Sequence, residues 1–158
     1  MIRPIEAKDR AVFLELCREF YASEAVAHPI PLQYHEDTFT ELLRSGDYIR
    51  CYLFETEGSA VGYALTAQTY SPEAGGIVVW IEELYLRPAC RGQGLGTEFF
   101  RTLPTLVPPE TARLRLEVEP DNADAIRLYE RMGYTALPYG QMVRELRAER
   151  ERKSKPAE

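Results

Sequence analysis

The sequence predicts a single α+β domain in which helices flank both faces of a mixed, mostly antiparallel sheet. Its 158 residues are enough for one domain with a hydrophobic core, and 45% of them are hydrophobic. Some segments alternate apolar and polar residues with period two, and others repeat apolar residues at helical spacing. Read in order, these segments give βααβββαβαββ, an arrangement typical of an α+β sandwich.

In the first half of the chain, apolar spacing and turn residues separate two helices from three strands. The first helix has an apolar face that includes Leu16 and Phe20, and the second ends at Gly46. Glu57-Gly58 forms the turn of a hairpin. The predicted segments are a strand at 2–5, helices at 8–22 and 36–45, strands at 48–55 and 60–69, and a central strand at 77–86.

The second half continues with helix, strand, helix and two terminal strands. A helix begins near Gly94 and ends or kinks at Pro104. A strand follows, in which Leu114, Leu116 and Val118 form one dry face. Asn122 caps the last helix, and residues 134–137 and 141–146 are the predicted terminal strands. The domain is expected to occupy 1–147, with a charged, solvated tail at 148–158.

Composition excludes several classes of function. No apolar run is long enough for a membrane helix, and the N-terminus does not resemble a secretory signal. Residues 1–143 carry a net charge of −8, which disfavours nucleic acid and favours a cationic partner. Three cysteines without a paired motif predict free thiols in a cytoplasmic protein, and neither histidine has the spacing of a metal ligand.

A glycine-rich turn joins the central strand to the next helix. Glycines let the backbone bend so that several N–H groups face one anion, and the helix N-terminus adds positive potential. The segment matches neither a P-loop nor a dinucleotide fingerprint, so it predicts a pyrophosphate cradle of another kind, or a tight turn without a ligand. It reads Arg91-Gly92-Gln93-Gly94-Leu95-Gly96-Thr97.

Two acidic residues interrupt the central strand, and an aromatic residue lies on the last helix. Glu82 and Glu83 should point to opposite faces unless a bulge intervenes. The inward carboxylate would be a base or a cation ligand in a cleft, and at a strand edge both would be solvated. Tyr129 has the spacing of a core side chain.

Residues 80–134 resemble the GNAT superfamily of acetyl-CoA-dependent N-acetyltransferases. The turn matches Arg-x-x-Gly-x-Gly, and the last helix matches Ala-x-x-Leu-Tyr-x-x-x-Gly-Tyr from Ala125 to Tyr134, with Asn122 before it. The resemblance implies a GNAT fold with acetyl-CoA as co-substrate and no metal. It implies that Tyr129 protonates the departing thiolate. The cofactor-binding residues are expected to be Leu84, Tyr85, Leu86, Arg91, Gly92, Gln93, Gly94, Leu95, Gly96, Thr97 and Asn122.

Within the superfamily, the central strand is similar to that of the spermidine/spermine and related diamine acetyltransferases. That similarity implies a base role for Glu82 and a cation-binding role for Glu83. The segment 21–39 is expected to line the acceptor site, with Tyr21 and Glu24 as substrate-binding residues. The N-terminal third matches too loosely for substrate contacts to be transferred.

The expected reaction is acetyl transfer to a small cationic primary amine, by direct attack in a ternary complex. A protein lysine or N-terminus is an alternative acceptor, and a non-catalytic acyl-CoA sensor is an alternative of another class. A covalent route through Cys90, next to the turn, is less favoured because no histidine is placed beside it. Neither nucleic acid nor a membrane is an expected partner, and a homodimer is left open.

Overall fold

The computed structural model of the chain describes residues 1–23 and 29–147. Within these ranges the chain forms four α-helices and five strands, with short 3₁₀ turns at Ala7–Asp9 and Pro88–Cys90. The strands are β1 (Ile2–Pro4), β2 (Ile49–Thr56), β3 (Ser59–Ser71), β4 (Gly76–Leu86) and β5 (Thr111–Leu116). The helices are α1 (Arg10–Tyr21), α2 (Leu32–Arg44), α3 (Leu95–Leu106) and α4 (Ala123–Arg131).

The strands form one sheet in the order β1-β2-β3-β4-β5. The first four are antiparallel, and β5 runs parallel to β4 because α3 carries the chain back across the sheet. This mixed, mostly antiparallel sheet confirms the predicted fold class.

Each face of the sheet packs against its own pair of helices. Neighbouring residues such as Leu53 and Phe54 of β2 are both fully buried, on opposite faces, because successive strand residues alternate. One core contains Phe13 of α1 and Phe39 of α2, and the other contains Phe99 of α3. The predicted placement of helices on both faces is therefore confirmed.

Ionic contacts hold α1 against the end of β4. The Arg87 guanidinium forms an ion pair of 2.8 Å with Glu19, and this pairing lowers the pKa of the Glu19 carboxyl. The Tyr85 hydroxyl donates to the same carboxylate at 3.1 Å. The C-terminal part of α1 is thereby fixed over the last residues of β4.

The C-terminal part of the domain differs from the prediction. Residues 134–147 contain no strand, so the expected strands at 134–137 and 141–146 are wrong. A strand needs a partner for its backbone groups, and here the side chains of Met142 and Val143 are almost fully exposed. Pro104 does not end α3, which continues to Leu106. The predicted tail, 148–158, lies outside the described residues.

Candidate active site

The site begins at a β-bulge in β4. Leu65 of β3 pairs with Glu83 and Thr66 pairs with Ile81, so Glu82 has no partner in β3. On the other side of β4, pairing with β5 ends at Ile81 opposite Leu116. From Glu82 onward the two parallel strands diverge and leave an edge of β4 unpaired with β5. Bulges re-aim side chains and commonly lie beside active sites.

The bulge gives the two neighbouring carboxylates different environments. Glu82 is the extra residue and is exposed where the strands diverge. Partial removal of water by the surrounding protein raises the pKa of Glu82, and the negative charges of Glu117 and Glu83 raise it further. A carboxylate with a raised pKa is a better proton acceptor.

Glu83 lies on the face of the sheet that α1 and α2 cover. Its Oε1 accepts a hydrogen bond of 2.6 Å from the Tyr21 hydroxyl, and its Oε2 accepts one of 2.5 Å from the Tyr63 hydroxyl. Burial, together with the Glu83 charge, raises the pKa of both phenols, so both remain protonated donors. Tyr21 and Glu83, both predicted in the acceptor site, are thus brought together.

Neutral side chains contact the tyrosines that bind Glu83. The Tyr21 ring packs edge-on against His35 at 5.0 Å, and burial lowers the pKa of this imidazole. Burial raises the pKa of the Cys17 thiol to about 12. The Arg18 charge acts on both the imidazole and the thiol, so a cationic side chain of α1 also lies near this group. Glu24, the other predicted acceptor residue, lies outside the described residues.

The glycine turn has the geometry of a cradle. Gly92 and Gly94 have φ of +73° and +84°, a region that side-chain-bearing residues rarely adopt. A Cβ added at Gly92, Gly94 or Gly96 would meet no atom within 4 Å, so these glycines border open space. Gly94 caps α3 without a side-chain hydrogen bond. The first amides of α3 are thus available to an anion, and the turn fits a pyrophosphate.

Two polar side chains of this turn bind the adjacent backbone. The Arg91 Nε donates to the Leu86 carbonyl at 2.9 Å, and its guanidinium lies 6.0 Å from the Tyr85 ring. The Gln93 amide donates to the Ala89 carbonyl at 3.1 Å. Both residues therefore fix the path of the chain from β4 into the turn.

Tyr129 lies on α4, on the face of the sheet that also carries α3. The predicted cap is present, because Asn122 Oδ1 accepts a hydrogen bond of 3.2 Å from the Ala125 N–H. The Tyr129 ring packs edge-on against Phe100 at 5.3 Å, and burial raises the pKa of its hydroxyl. That hydroxyl makes no hydrogen bond within residues 1–23 and 29–147, so it is a protonated donor without a partner there.

Sequence reasoning missed three participants. Tyr63 on β3 binds Glu83, and no local pattern distinguishes it from other core residues. Glu117, just beyond β5, acts electrostatically on Glu82. Gln141 donates a hydrogen bond to Glu117 from the C-terminal segment. The last two contacts depend on where β4 and β5 diverge, which the sequence does not specify.

In the described parts of the chain, no helix is both long and apolar enough to cross a membrane. Across the same residues, no group of three or more histidine, cysteine or acidic side chains could hold a metal ion.

Comparison with known proteins gives the class of this protein. The acetyltransferase (GNAT) family matches residues 12–134, most of the chain. The protein therefore belongs to the GNAT family and is an N-acetyltransferase that uses acetyl-CoA.

Particular relatives agree with this class. The chain is 26% identical over 141 residues to thialysine N-epsilon-acetyltransferase of Mus musculus. The alignment covers 84% of this chain and 82% of that protein. An integron cassette protein from the mobile metagenome of Cole Harbour Salt Marsh superposes with a TM-score of 0.79 at 25% identity, over 92% of this chain and 90% of that one. AAC(6')-Iy, solved with the bisubstrate analog CoA-S-monomethyl-acetylneamine, superposes with a TM-score of 0.75 at 16% identity, over 92% and 97% of the chains.

Proposed function

We propose that this N-acetyltransferase acetylates a small cationic primary amine by direct attack in a ternary complex. The observation that carries the proposal is the bulge, which exposes Glu82 where β4 and β5 diverge, next to Glu83, whose oxygens accept hydrogen bonds from two tyrosines. The mouse relative is named for acetylation of an amine on a small molecule, which supports this acceptor class.

Acetyl-CoA is proposed to lie between the diverging strands and the glycine turn. The amides at the start of α3 and those of Gln93 and Gly94 would hold the pyrophosphate, with Asn122 also in the binding set. The unpaired edge of β4, at Leu84 and Leu86, would bond the pantetheine arm as an added strand does. An N–H near Leu84 would stabilise the oxyanion that forms on the thioester carbonyl.

Two side chains are proposed to move protons. Glu82 would accept the ammonium proton, directly or through a water, because a protonated amine cannot attack the thioester. Tyr129 would donate a proton to the departing thiolate. Its raised pKa keeps the hydroxyl protonated until the thiolate forms. Positioning the amine and thioester together supplies much of the rate, so no acetyl-cysteine is required.

The acidic body suits a cationic acceptor and disfavours nucleic acid. Cys17, Cys51 and Cys90 are free thiols, which supports the proposal that the protein works in the reducing cytoplasm. A homodimer is compatible with this function and can be tested by light scattering.

The test is an acceptor screen with Glu82→Gln beside the wild type. The pKa of Glu82 is raised, so this side chain loses its proton and can act as a base only at a higher pH than an ordinary glutamate. In a plot of rate against pH, we expect the rate of the wild type to fall on the acidic side as Glu82 becomes protonated. We expect Glu82→Gln to lower turnover by roughly 10²-fold at neutral pH, with partial recovery at high pH where free amine is abundant.

Thiol release with acetyl-CoA separates the outcomes. Release only with small diamines and polyamines supports the proposal. Release only with peptides would replace the acceptor class by protein lysines or N-termini. No release with any amine, despite acetyl-CoA binding by calorimetry, would overturn the catalytic proposal in favour of a sensor.

A further inference from the structure

Glu117 occupies a position that the proposed reaction does not yet use. The last paired residues of the two parallel strands are Ile81 and Leu116, so Glu82 and Glu117 are the first residues after the strands diverge. Both are exposed. The two carboxylates therefore lie across the same opening, one from each strand.

The C-terminal segment, residues 134–147, restrains Glu117. The Gln141 side-chain amide donates a hydrogen bond to the Glu117 carboxylate. Farther along, the Arg147 guanidinium lies 4.7 Å from the Tyr34 ring of α2. These contacts show that the segment passes from α4 to α2 by way of the opening.

The neighbouring residue Glu83 acts on Glu82 less strongly than Glu117 does. The negative charge of Glu117 raises the pKa of Glu82 more than that of Glu83, although Glu83 is adjacent in sequence. The Glu83 carboxylate is fixed by hydrogen bonds from Tyr21 and Tyr63, whereas Glu117 lies across the opening from Glu82. Tyr21 also faces Glu82, from α1, and is neutral because burial raises its pKa.

We propose that Glu117, held by Gln141, is a positioning residue whose charge keeps Glu82 ready to accept a proton from the incoming ammonium. The inference rests on the proposed function, in which Glu82 is the base. Glu117 itself need not touch the substrate. Its effect is exerted through space, and it makes the C-terminal segment part of the catalytic apparatus.

The test compares Glu117→Gln with a matched control, Glu119→Gln. Both changes remove one charge from the same exposed stretch after β5, but Glu119 lies farther along the chain from the opening. For two charges several ångströms apart in a largely aqueous setting, we expect Glu117→Gln to move the acidic limb of kcat/KM down by about half a pH unit. The control should move it by much less.

Two further measurements make the result decisive. Carbon-13 NMR of labelled glutamate, with Glu82→Gln used for assignment, should show the same downward shift in the Glu82 titration without any substrate. Raising the salt from 0.1 M to 1 M shortens the screening length from about 10 to 3 Å, so the wild-type limb should approach that of Glu117→Gln.

Each outcome has one meaning. An unmoved Glu82 titration in Glu117→Gln, or an equal shift in both variants, overturns this inference and leaves the proposed function intact. A shifted titration in a protein whose Glu82→Gln variant keeps full turnover would show that the coupling exists but that Glu82 is not the base. In that case the positioning role and the base assignment would both be wrong.

Discussion

The two sides of β4 differ in how their polar groups are satisfied. On the α1 side, both oxygens of Glu83 accept hydrogen bonds, from the hydroxyls of Tyr21 and Tyr63. On the β5 side, Glu82 is exposed, the Tyr129 hydroxyl has no partner within the described residues, and the glycine turn borders open space. Polar groups without partners along an opening are available to substrate, whereas a carboxylate whose two oxygens already accept hydrogen bonds chiefly sets the charge and shape of the surface around it.

The largest effect is expected from Tyr129→Phe. The change keeps the ring against Phe100 and removes a hydroxyl that bonds no described residue. Turnover should fall by roughly 10²-fold, the usual scale for a general acid, while the free energy of unfolding changes little. Steady-state kinetics and urea denaturation measure the two effects.

Tyr134→Phe is the matched control for that prediction. The Tyr134 hydroxyl is buried without a partner in the described residues, and its ring lies 6.1 Å from the Tyr129 ring. Removing it should leave turnover unchanged and should stabilise the fold, because an unsatisfied buried hydroxyl costs about 1–3 kcal/mol. Lost stability with normal turnover in Tyr129→Phe would return Tyr129 to a purely structural role.

A smaller effect is expected from Gly94→Glu, which tests the opening from its other end. The new side chain would place bulk and negative charge where the pyrophosphate should lie. Affinity for acetyl-CoA should fall by at least about 2 kcal/mol, or roughly 30-fold, measured by calorimetry.

Gly58→Glu controls for backbone strain in that experiment. Gly58 has a similar φ of +76°, also borders open space, and lies in the turn between β2 and β3. Both variants should lose about 1 kcal/mol of stability from the left-handed conformation, yet Gly58→Glu should bind acetyl-CoA normally. Equal affinities in the two folded variants would exclude the glycine turn as the pyrophosphate site.

The sequence predicted features whose causes are local. Asn122 caps α4 because its side chain reaches an amide three residues ahead, and the glycine turn before α3 bends without a distant partner. The sheet and its two helical layers followed from apolar periodicity in the same way. The predicted strand at 141–146 failed because pairing needs a second strand, and periodicity does not show whether one is present.

The orientation of the acidic pair could not be predicted. Alternation assigns faces to Glu82 and Glu83 only if β4 is regular, and the bulge depends on how Leu65 and Thr66 of β3 align with it. The partners Tyr63 and Gln141 are 20 and 24 residues from the carboxylates that they bind. Such contacts are set by tertiary packing, so the spacing of apolar and polar residues along the sequence does not reveal them.

Substitution of Glu83 tests the α1 side of β4 and should have the smallest effect. If its charge attracts the distal ammonium of a diamine, Glu83→Gln should raise KM for diamines about tenfold and leave monoamines almost unchanged. Because both oxygens accept phenolic hydrogen bonds, the same change should also cost about 1–2 kcal/mol of stability. Kinetics with a matched diamine and monoamine, beside urea denaturation, measure these effects separately. Tyr63→Phe distinguishes charge from scaffold, since it removes one of those hydrogen bonds and keeps the carboxylate. A rise in diamine KM in Glu83→Gln but not in Tyr63→Phe would support a charge effect, whereas equal rises in both variants, or for both amines, would make Glu83 a structural anchor.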